Sequence, residues 1–144
     1  TVKPVKNILA RVFVDQMGKD TKQQSLATLL AYTTDKFVLA GEYNYQTNYQ
    51  MVEGQDRYGT SFYTWYKPSK KVKLFARYDG LNSKKQNGEN EAWNISKDGS
   101  LMVAGLEFAP VKGVKVTPNF RSWNPAKEGA ENTTFLYLNF ELKF

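Results

Sequence analysis

The residues of this chain that can do chemistry are carboxylates and cations that alternate with apolar residues. Such a set forms ion pairs between neighbouring strands, or it lines water and biases the passage of ions. Ion pairing is the favoured interpretation of any single member, with Arg77–Glu107 and Lys115–Glu141 as candidate pairs. The candidate residues are Arg11, Glu42, Arg57, Lys73, Arg77, Asp79, Glu107, Lys115, Arg121 and Glu141.

Composition excludes several kinds of catalysis. The chain has 144 residues and contains neither Cys nor His. Disulfides, zinc sites and His-based acid–base or nucleophilic chemistry are therefore excluded. An acid–base dyad of Asp79 and Glu107 is the one enzymatic arrangement that the sequence leaves open. No phosphate-binding glycine loop is present, so the chain is predicted to be no enzyme and to hold neither cofactor nor metal.

The charge pattern narrows the range of partners. The net charge is +6, but the lysines stand mostly in turns and the arginines alternate with apolar residues. Nucleic-acid binding would require basic residues clustered on one element, so no nucleic-acid partner is predicted. No stretch approaches eighteen consecutive apolar residues, which argues against a transmembrane helix. No signal peptide opens the sequence, so we expect a mature chain or part of a longer one.

The elements that position these residues are predicted to be strands. Period-2 alternation and turn signals predict eight strands of about ten residues each. Short connectors alternate with longer polar ones, and the longest, at 82–99, has no apolar run and is typical of a solvated surface loop. The predicted strands are 5–16, 25–33, 37–47, 56–67, 71–81, 100–109, 113–123 and 133–144.

The two faces of these strands differ in polarity. In the last strand, Leu136, Leu138 and Phe140 share one side, while Asn139 and Glu141 share the other. The same parity holds in the first, third, fifth and seventh strands, whereas the second and sixth are apolar on both faces. Strands of this length and pattern are typical of an all-β, antiparallel transmembrane barrel, in which one face meets lipid and the other lines the lumen.

A soluble β-barrel with its apolar residues inside is the alternative. Three features favour the membrane barrel. The connectors alternate short and long, with tight turns on one side and longer loops on the other. Small residues on the apolar face, Gly41, Ala76 and Ala104, would leave gaps in a packed core. Aromatic residues near strand ends suit the two interfaces of a membrane, namely Phe37, Tyr45, Tyr58, Tyr66, Tyr78, Phe108 and Phe144.

Four segments resemble the C-terminal half of porin-like outer-membrane proteins of Bacteroidota. They read KVKLFARYD at 71–79, FAPVKGVKV at 108–116, PNFRSWNP at 118–125 and LYLNFELKF at 136–144. The resemblance covers residues 67–144, and residues 30–66 follow the same pattern more loosely. Members of that family are typically larger, so residues 1–144 are expected to form either one barrel domain or the C-terminal portion of one.

The resemblance implies a passive outer-membrane barrel of Gram-negative bacteria, through which small polar or ionic solutes diffuse. The ten candidate residues would then line the lumen, and Phe144 would serve as the assembly signal for the barrel-assembly machinery. We expect the chain to be surrounded by outer-membrane lipid and to assemble as a homo-oligomer or within a larger outer-membrane complex. Two alternatives stay open: a small closed barrel with a structural or partner-binding role and no pore, and a soluble ligand-binding β-barrel.

Overall fold

The fold is a single antiparallel sheet of eight strands in chain order. The structure, a computed structural model, describes residues 6–144, so the predicted start of the first strand at residue 5 lies outside it. Each strand pairs with the next along the chain. The strands are β1 (Ile8–Met17), β2 (Gln23–Thr33), β3 (Phe37–Thr47), β4 (Arg57–Ser69), β5 (Val72–Ser83), β6 (Gly99–Phe108), β7 (Val114–Pro125) and β8 (Thr133–Leu142).

The predicted rhythm of the connectors is largely present. The turns at 34–36, 70–71 and 109–113 lie at one end of the sheet, which we call the turn end. The loops at 18–22, 48–56, 84–98 and 126–132 lie at the other, the loop end. The first loop is shorter than predicted, because Met17 pairs with Gln23 and only five residues remain between β1 and β2. The third turn has the same length, so the contrast between loops and turns is not complete. One short 3-10 helix, Tyr49–Met51, lies in the second loop.

The β4–β5 connection is tighter than the sequence predicts. Strand β4 continues past the predicted end at residue 67 as far as Ser69, and the register shifts between Tyr66 and Ser69. Pro68 lies within this irregularity, where its missing N–H costs the ladder little because a bulge already interrupts the pairing. Only Lys70 and Lys71 then remain between the two strands.

The pairing register drifts steadily across the sheet. One row of directly opposed residues starts at Val12 in the middle of β1 and runs through Thr28, Tyr43, Thr60, Gly80, Ser100 and Asn124. At β8 this row already lies beyond the first residue of the strand. The strand centres therefore shift by about six residues over seven steps, at about 3.3 Å per residue and about 4.8 Å per step. With this stagger, the strand centres lie at the same height along a barrel axis when the strands tilt by about 30° from that axis. This tilt is close to the 35–45° of closed barrels.

The sheet is open. Strands β1 and β8 are its two edges, and no pairing among the described residues joins them. The all-β antiparallel fold is confirmed, but the predicted closure into a barrel is not seen within residues 6–144. Among the described residues, no helix is long and apolar enough to cross a membrane.

Burial differs between the two faces of the sheet. The small apolar core consists of Ala31, Val38 and Ala40, with Tyr63 and Trp65 packed against it. Every buried strand residue lies on the face that carries the charged side chains, which we call the polar face, namely Gln23, Ala31, Val38, Ala40, Ser61, Ser83 and Asn119. The opposite, apolar face is widely exposed, with Leu136 at 83% and Val14 at 72%.

We predict that Gly105→Ala destabilises the sheet. A Cβ at this position would lie 2.5 Å from the Phe75 ring and 2.7 Å from the carbonyl oxygen of Pro118. Forcing a methyl group into packed surroundings costs about 1–3 kcal/mol of unfolding free energy. Urea unfolding followed by tryptophan fluorescence measures the change.

Gly59→Ala is the matched control for this variant. Gly59 lies on the same face in β4, and the nearest atom to a Cβ there is a carbonyl oxygen at 3.4 Å. We expect its unfolding free energy to stay close to that of the wild type. Equal stability of the two variants would show that Phe75 does not cover Gly105.

Candidate functional site

The register brings all ten predicted residues to one face. Directly opposed residues share a face, and the pairing connects Arg11 through Leu29 to Glu42, and Arg77 through Val103 to Arg121. The polar face carries every Asp, Glu, Lys and Arg of the eight strands, if Lys67 in the β4 bulge is set aside. The amine of Lys67 also reaches this face, since it lies 4.6 Å from the centre of the Trp65 ring. The charged side chains therefore form one continuous surface.

The apolar face is equally uniform. It contains no Asp, Glu, Lys or Arg within the paired strand residues, from Ile8 in β1 to Leu142 in β8. Its side chains come from alternate positions on all eight strands, so no polar strand interrupts it. Exposed apolar patches on monomeric soluble proteins rarely exceed a few hundred Å², and a surface that spans eight strands is larger than that.

One of the two predicted ion pairs is confirmed and the other is wrong. Lys115 Nζ lies 3.1 Å from Glu141 Oε2, as expected from their opposed positions on β7 and β8. Glu107 pairs instead with Lys73 at 2.9 Å, because Lys73 is the residue directly opposite it. Arg77 turns to Asp79 on its own strand, with Nε 2.8 Å from Oδ2.

The carboxylates of Asp79 and Glu107 do not meet. Asp79 is opposite Leu101, whereas Glu107 is opposite Lys73, six residues away along β5. At about 3.3 Å per residue the two positions are about 20 Å apart. The acid–base dyad that the sequence left open is therefore not assembled.

Two of the four remaining predicted residues are held by neighbouring side chains. Arg57 donates from Nε to Gln46 Oε1 at 2.7 Å, and its guanidinium carbon lies 3.4 Å from the centre of the Tyr49 ring. Arg121 donates to Asn119 Oδ1 at 3.2 Å and covers Tyr137. The final two, Arg11 and Glu42, line a common depression of about 160 Å³.

The loops at the loop end form an ordered layer, which the sequence did not predict. Asp56 joins the second and third loops through its side chain and its backbone. Its carboxylate accepts hydrogen bonds from the Tyr45 hydroxyl at 2.9 Å and from the Asn48 amide in the second loop at 3.1 Å. The carbonyl oxygen of Asp56 accepts a hydrogen bond from the Trp93 indole at 2.7 Å. Lys84 Nζ lies 3.7 Å from the same carboxylate and 2.6 Å from the Tyr45 hydroxyl.

These contacts alter the ionisation of Lys84. The hydrogen bond with Tyr45, aided by the nearby Asp56 carboxylate, raises the pKa of Lys84 above its ordinary value of 10.5. Its cationic form is thus stabilised in the folded loops, and this contribution is lost only when the pH rises through the folded-state pKa.

The third loop is anchored by a buried carboxylate. Asp98 is 2% exposed and accepts hydrogen bonds from the backbone N–H and the hydroxyl of Ser83, while the Asn94 amide donates to that hydroxyl at 3.0 Å. The Asp98 carbonyl oxygen also accepts a hydrogen bond from Ala126. Most residues of this loop are exposed, as predicted for a solvated surface loop, but the polar sequence did not predict the hydrogen bonds that anchor its end.

The aromatic residues of the apolar face lie mostly at its two ends. Tyr32 and Phe37 flank the first short turn with ring centres 5.4 Å apart, and Phe108 precedes the third. Tyr45 and Tyr58 are opposed beside the second loop. Tyr78 does not fit this pattern, because it lies in the middle of β5 opposite Phe62 and Met102. Phe144 follows the end of β8 and is fully exposed.

Comparison with protein families, with characterised proteins and with solved structures finds no match for this chain.

We predict that Asp56→Ala loosens the loop layer. It removes the acceptor of the Tyr45 and Asn48 hydrogen bonds and the counter-charge of Lys84, which together are worth about 1–2 kcal/mol. Amide hydrogen exchange of Asn48 should accelerate, and trypsin should cleave faster after Lys84. The control is Asp35→Ala, which removes an exposed carboxylate from the first short turn. Unchanged exchange at Asn48 in Asp56→Ala would contradict the proposed role of Asp56.

Proposed function

We propose that this chain forms all or part of a porin-like β-barrel in the outer membrane of a Gram-negative bacterium, through which small polar or ionic solutes diffuse passively. The observation that carries the proposal is the separation of the two faces. The uncharged apolar face is the exposed one, and the charged face is the more buried one. A bilayer is the surrounding that stabilises this arrangement, because it meets the apolar face while water meets the polar one.

Burial also argues against a soluble ligand-binding barrel. In such a barrel the apolar residues would pack inside and the charged residues would face water. Here Leu30 is 62% exposed, whereas its neighbour Ala31 on the polar face is 7% exposed. The sheet would have to reverse its faces to become a soluble barrel.

The dimensions of the strands agree with the proposal. Strands of ten residues, the length of β1, β6 and β8, rise about 28 Å when they are tilted by about 30°. The apolar band of outer-membrane barrels is about 25 Å tall. The tyrosines and phenylalanines near both strand ends would then lie at the depth of the lipid headgroups.

The two open edges set a requirement for this function. Unpaired N–H and C=O groups are not tolerated against hydrocarbon, so β1 and β8 must each find a strand partner in the membrane. That partner is a strand of the same copy, a further strand of a longer chain, or a second copy. The identity of this partner sets the number of strands in the barrel and so determines whether a pore is open. Eight strands enclose an interior filled by side chains, whereas sixteen or more enclose a channel.

A small closed barrel without a pore is the second candidate. It is favoured by the ion pairs Lys73–Glu107 and Lys115–Glu141, because cross-strand pairs of this kind fill the interior of a narrow barrel. Reconstitution into a planar bilayer separates the two candidates. A porin-like barrel conducts ions in discrete steps, whereas a filled barrel inserts without conducting.

The face assignment leads to a labelling prediction. The chain has no Cys, so one introduced Cys carries a fluorophore at a single site. We expect lipid-borne quenchers to quench labels at Phe120→Cys and Leu138→Cys, whose side chains lie on the apolar face. Labels at the adjacent positions, Arg121→Cys and Asn139→Cys, should stay unquenched because they face the lumen.

The reverse pattern would mean that the faces are wrongly assigned. A protein that is monodisperse without detergent and shows no quenching at any of the four sites would instead support a soluble barrel. The four labelled positions form two adjacent pairs, 120 with 121 and 138 with 139. Each apolar-face site therefore has a neighbouring polar-face site as its matched control.

Phe144 leads to a separate prediction about biogenesis. Phe144 is exposed after the end of β8 and is the proposed contact for the barrel-assembly machinery. Deleting Phe144 should lower the amount of assembled protein in the outer membrane of cells. It should leave the urea midpoint of refolded protein nearly unchanged, since Phe144 lies outside the ladder that ends at Leu142. Equal amounts of assembled protein with and without Phe144 would contradict an assembly role.

A further inference from the structure

Charge is distributed unequally between the two ends of the sheet. The four loops carry six lysines and eight carboxylates, whereas the three short turns carry four lysines and one carboxylate. The polar face adds Lys67, Lys73 and Lys115 beside the turn end, against Glu107 and Glu141. One end of the sheet is therefore slightly acidic and the other strongly basic.

The basic charge is concentrated in one cleft. It lies beside the β4–β5 turn, encloses about 380 Å³, and is lined by Lys67, Lys70, Lys71, Lys73, Lys115 and Glu107, with Ser69, Val72 and Ala109. We call it the lysine cleft. The bulge after Tyr66 and the two-residue turn bring the lysines of β4 and the turn beside those of β5 and β7.

The lysines of the cleft fall into two groups. Lys73 and Lys115 are compensated by Glu107 and Glu141 at 2.9 and 3.1 Å. Lys67, Lys70 and Lys71 are exposed, and none lies within ion-pair distance of a carboxylate in the described part of the chain. Their charge is available to a ligand, and an ammonium on a flexible stem suits the several oxygens of a phosphate-type anion.

We propose that the lysine cleft binds small multivalent anions of the phosphate type and makes the turn end of the polar face an anion-concentrating mouth. The proposal rests on the porin-like function for its role in permeation, but binding in the cleft does not require a pore. Low-dielectric walls lined by one sign of charge raise the local concentration of counter-ions about 10-fold or more. The solutes that the barrel favours would then be small anions.

Tripolyphosphate is the probe for binding. It is titrated by calorimetry into the detergent-solubilised full chain at low and high salt. The test variant is the triple substitution Lys67→Gln, Lys70→Gln and Lys71→Gln. The control, Lys19→Gln, Lys85→Gln and Lys127→Gln, removes the same charge from exposed positions in the loops. We expect the test variant to weaken binding at least about 10-fold and the control to bind as the wild type does.

Reversal potentials in a salt gradient test the effect on permeation. The wild-type channel should favour chloride over potassium, and the test variant should lower that permeability ratio at least about threefold, while the control should not. Equal losses of tripolyphosphate binding in the two variants, or no binding by the wild type, would overturn the proposed site. Lysine-dependent binding by a protein that does not conduct would support the site and refute the pore. A conducting protein without anion preference would refute the anion-concentrating mouth and keep the porin-like function.

Discussion

The rest of the structure depends on one constraint, which is that all seven strand pairings join residues of matching face. A shift of any pairing by one residue would move the whole charged set of a strand onto the apolar face. The cost would be high in a bilayer, where a charged side chain at the midplane costs about 2–4 kcal/mol. The uncharged surface and the ion pairs between strands exist because the only such shift in the ladders from β1 to β8 is the bulge at the end of β4, beside which the lysine cleft lies.

The same pairing explains the apolar residues that lie on the polar face. Leu29 stands between Arg11 and Glu42, and Val103 stands between Arg77 and Arg121 in a single row. Adjacent strands lie about 4.8 Å apart, so Val103 keeps the two guanidinium groups about two strand spacings from each other. Like charges directly opposed are destabilising, and an apolar spacer avoids that cost without adding a new charge.

Much of this fold is predictable from the sequence, because alternation determines both the strands and their faces. Alternation predicts the faces of β1, β3, β5 and β7, whereas β2 and β6 are apolar on both sides and only the observed pairing assigns their faces. Registers across long loops are not predictable in the same way. Turn geometry does not fix the register of β5 and β6, which are joined by the 84–98 loop, so Glu107 was assigned to Arg77 rather than Lys73. The role of Asp56 is equally invisible, because its partners, Tyr45 and Trp93, are distant in sequence.

The two ends of the sheet satisfy their polar groups in different ways, and this difference bears on function. At the loop end, charged groups such as Asp56, Lys84 and Asp98 are bound by other groups of the protein itself. These contacts order the loop layer and occupy the charged groups that form them. At the turn end, Lys67, Lys70 and Lys71 are exposed, and none has a carboxylate within ion-pair distance among the described residues. A ligand displaces water from an exposed ammonium more readily than it breaks a protein ion pair. This difference is the reason to place the proposed anion binding at the end of the sheet with the shortest connections, where the chain leaves more of its own charge uncompensated.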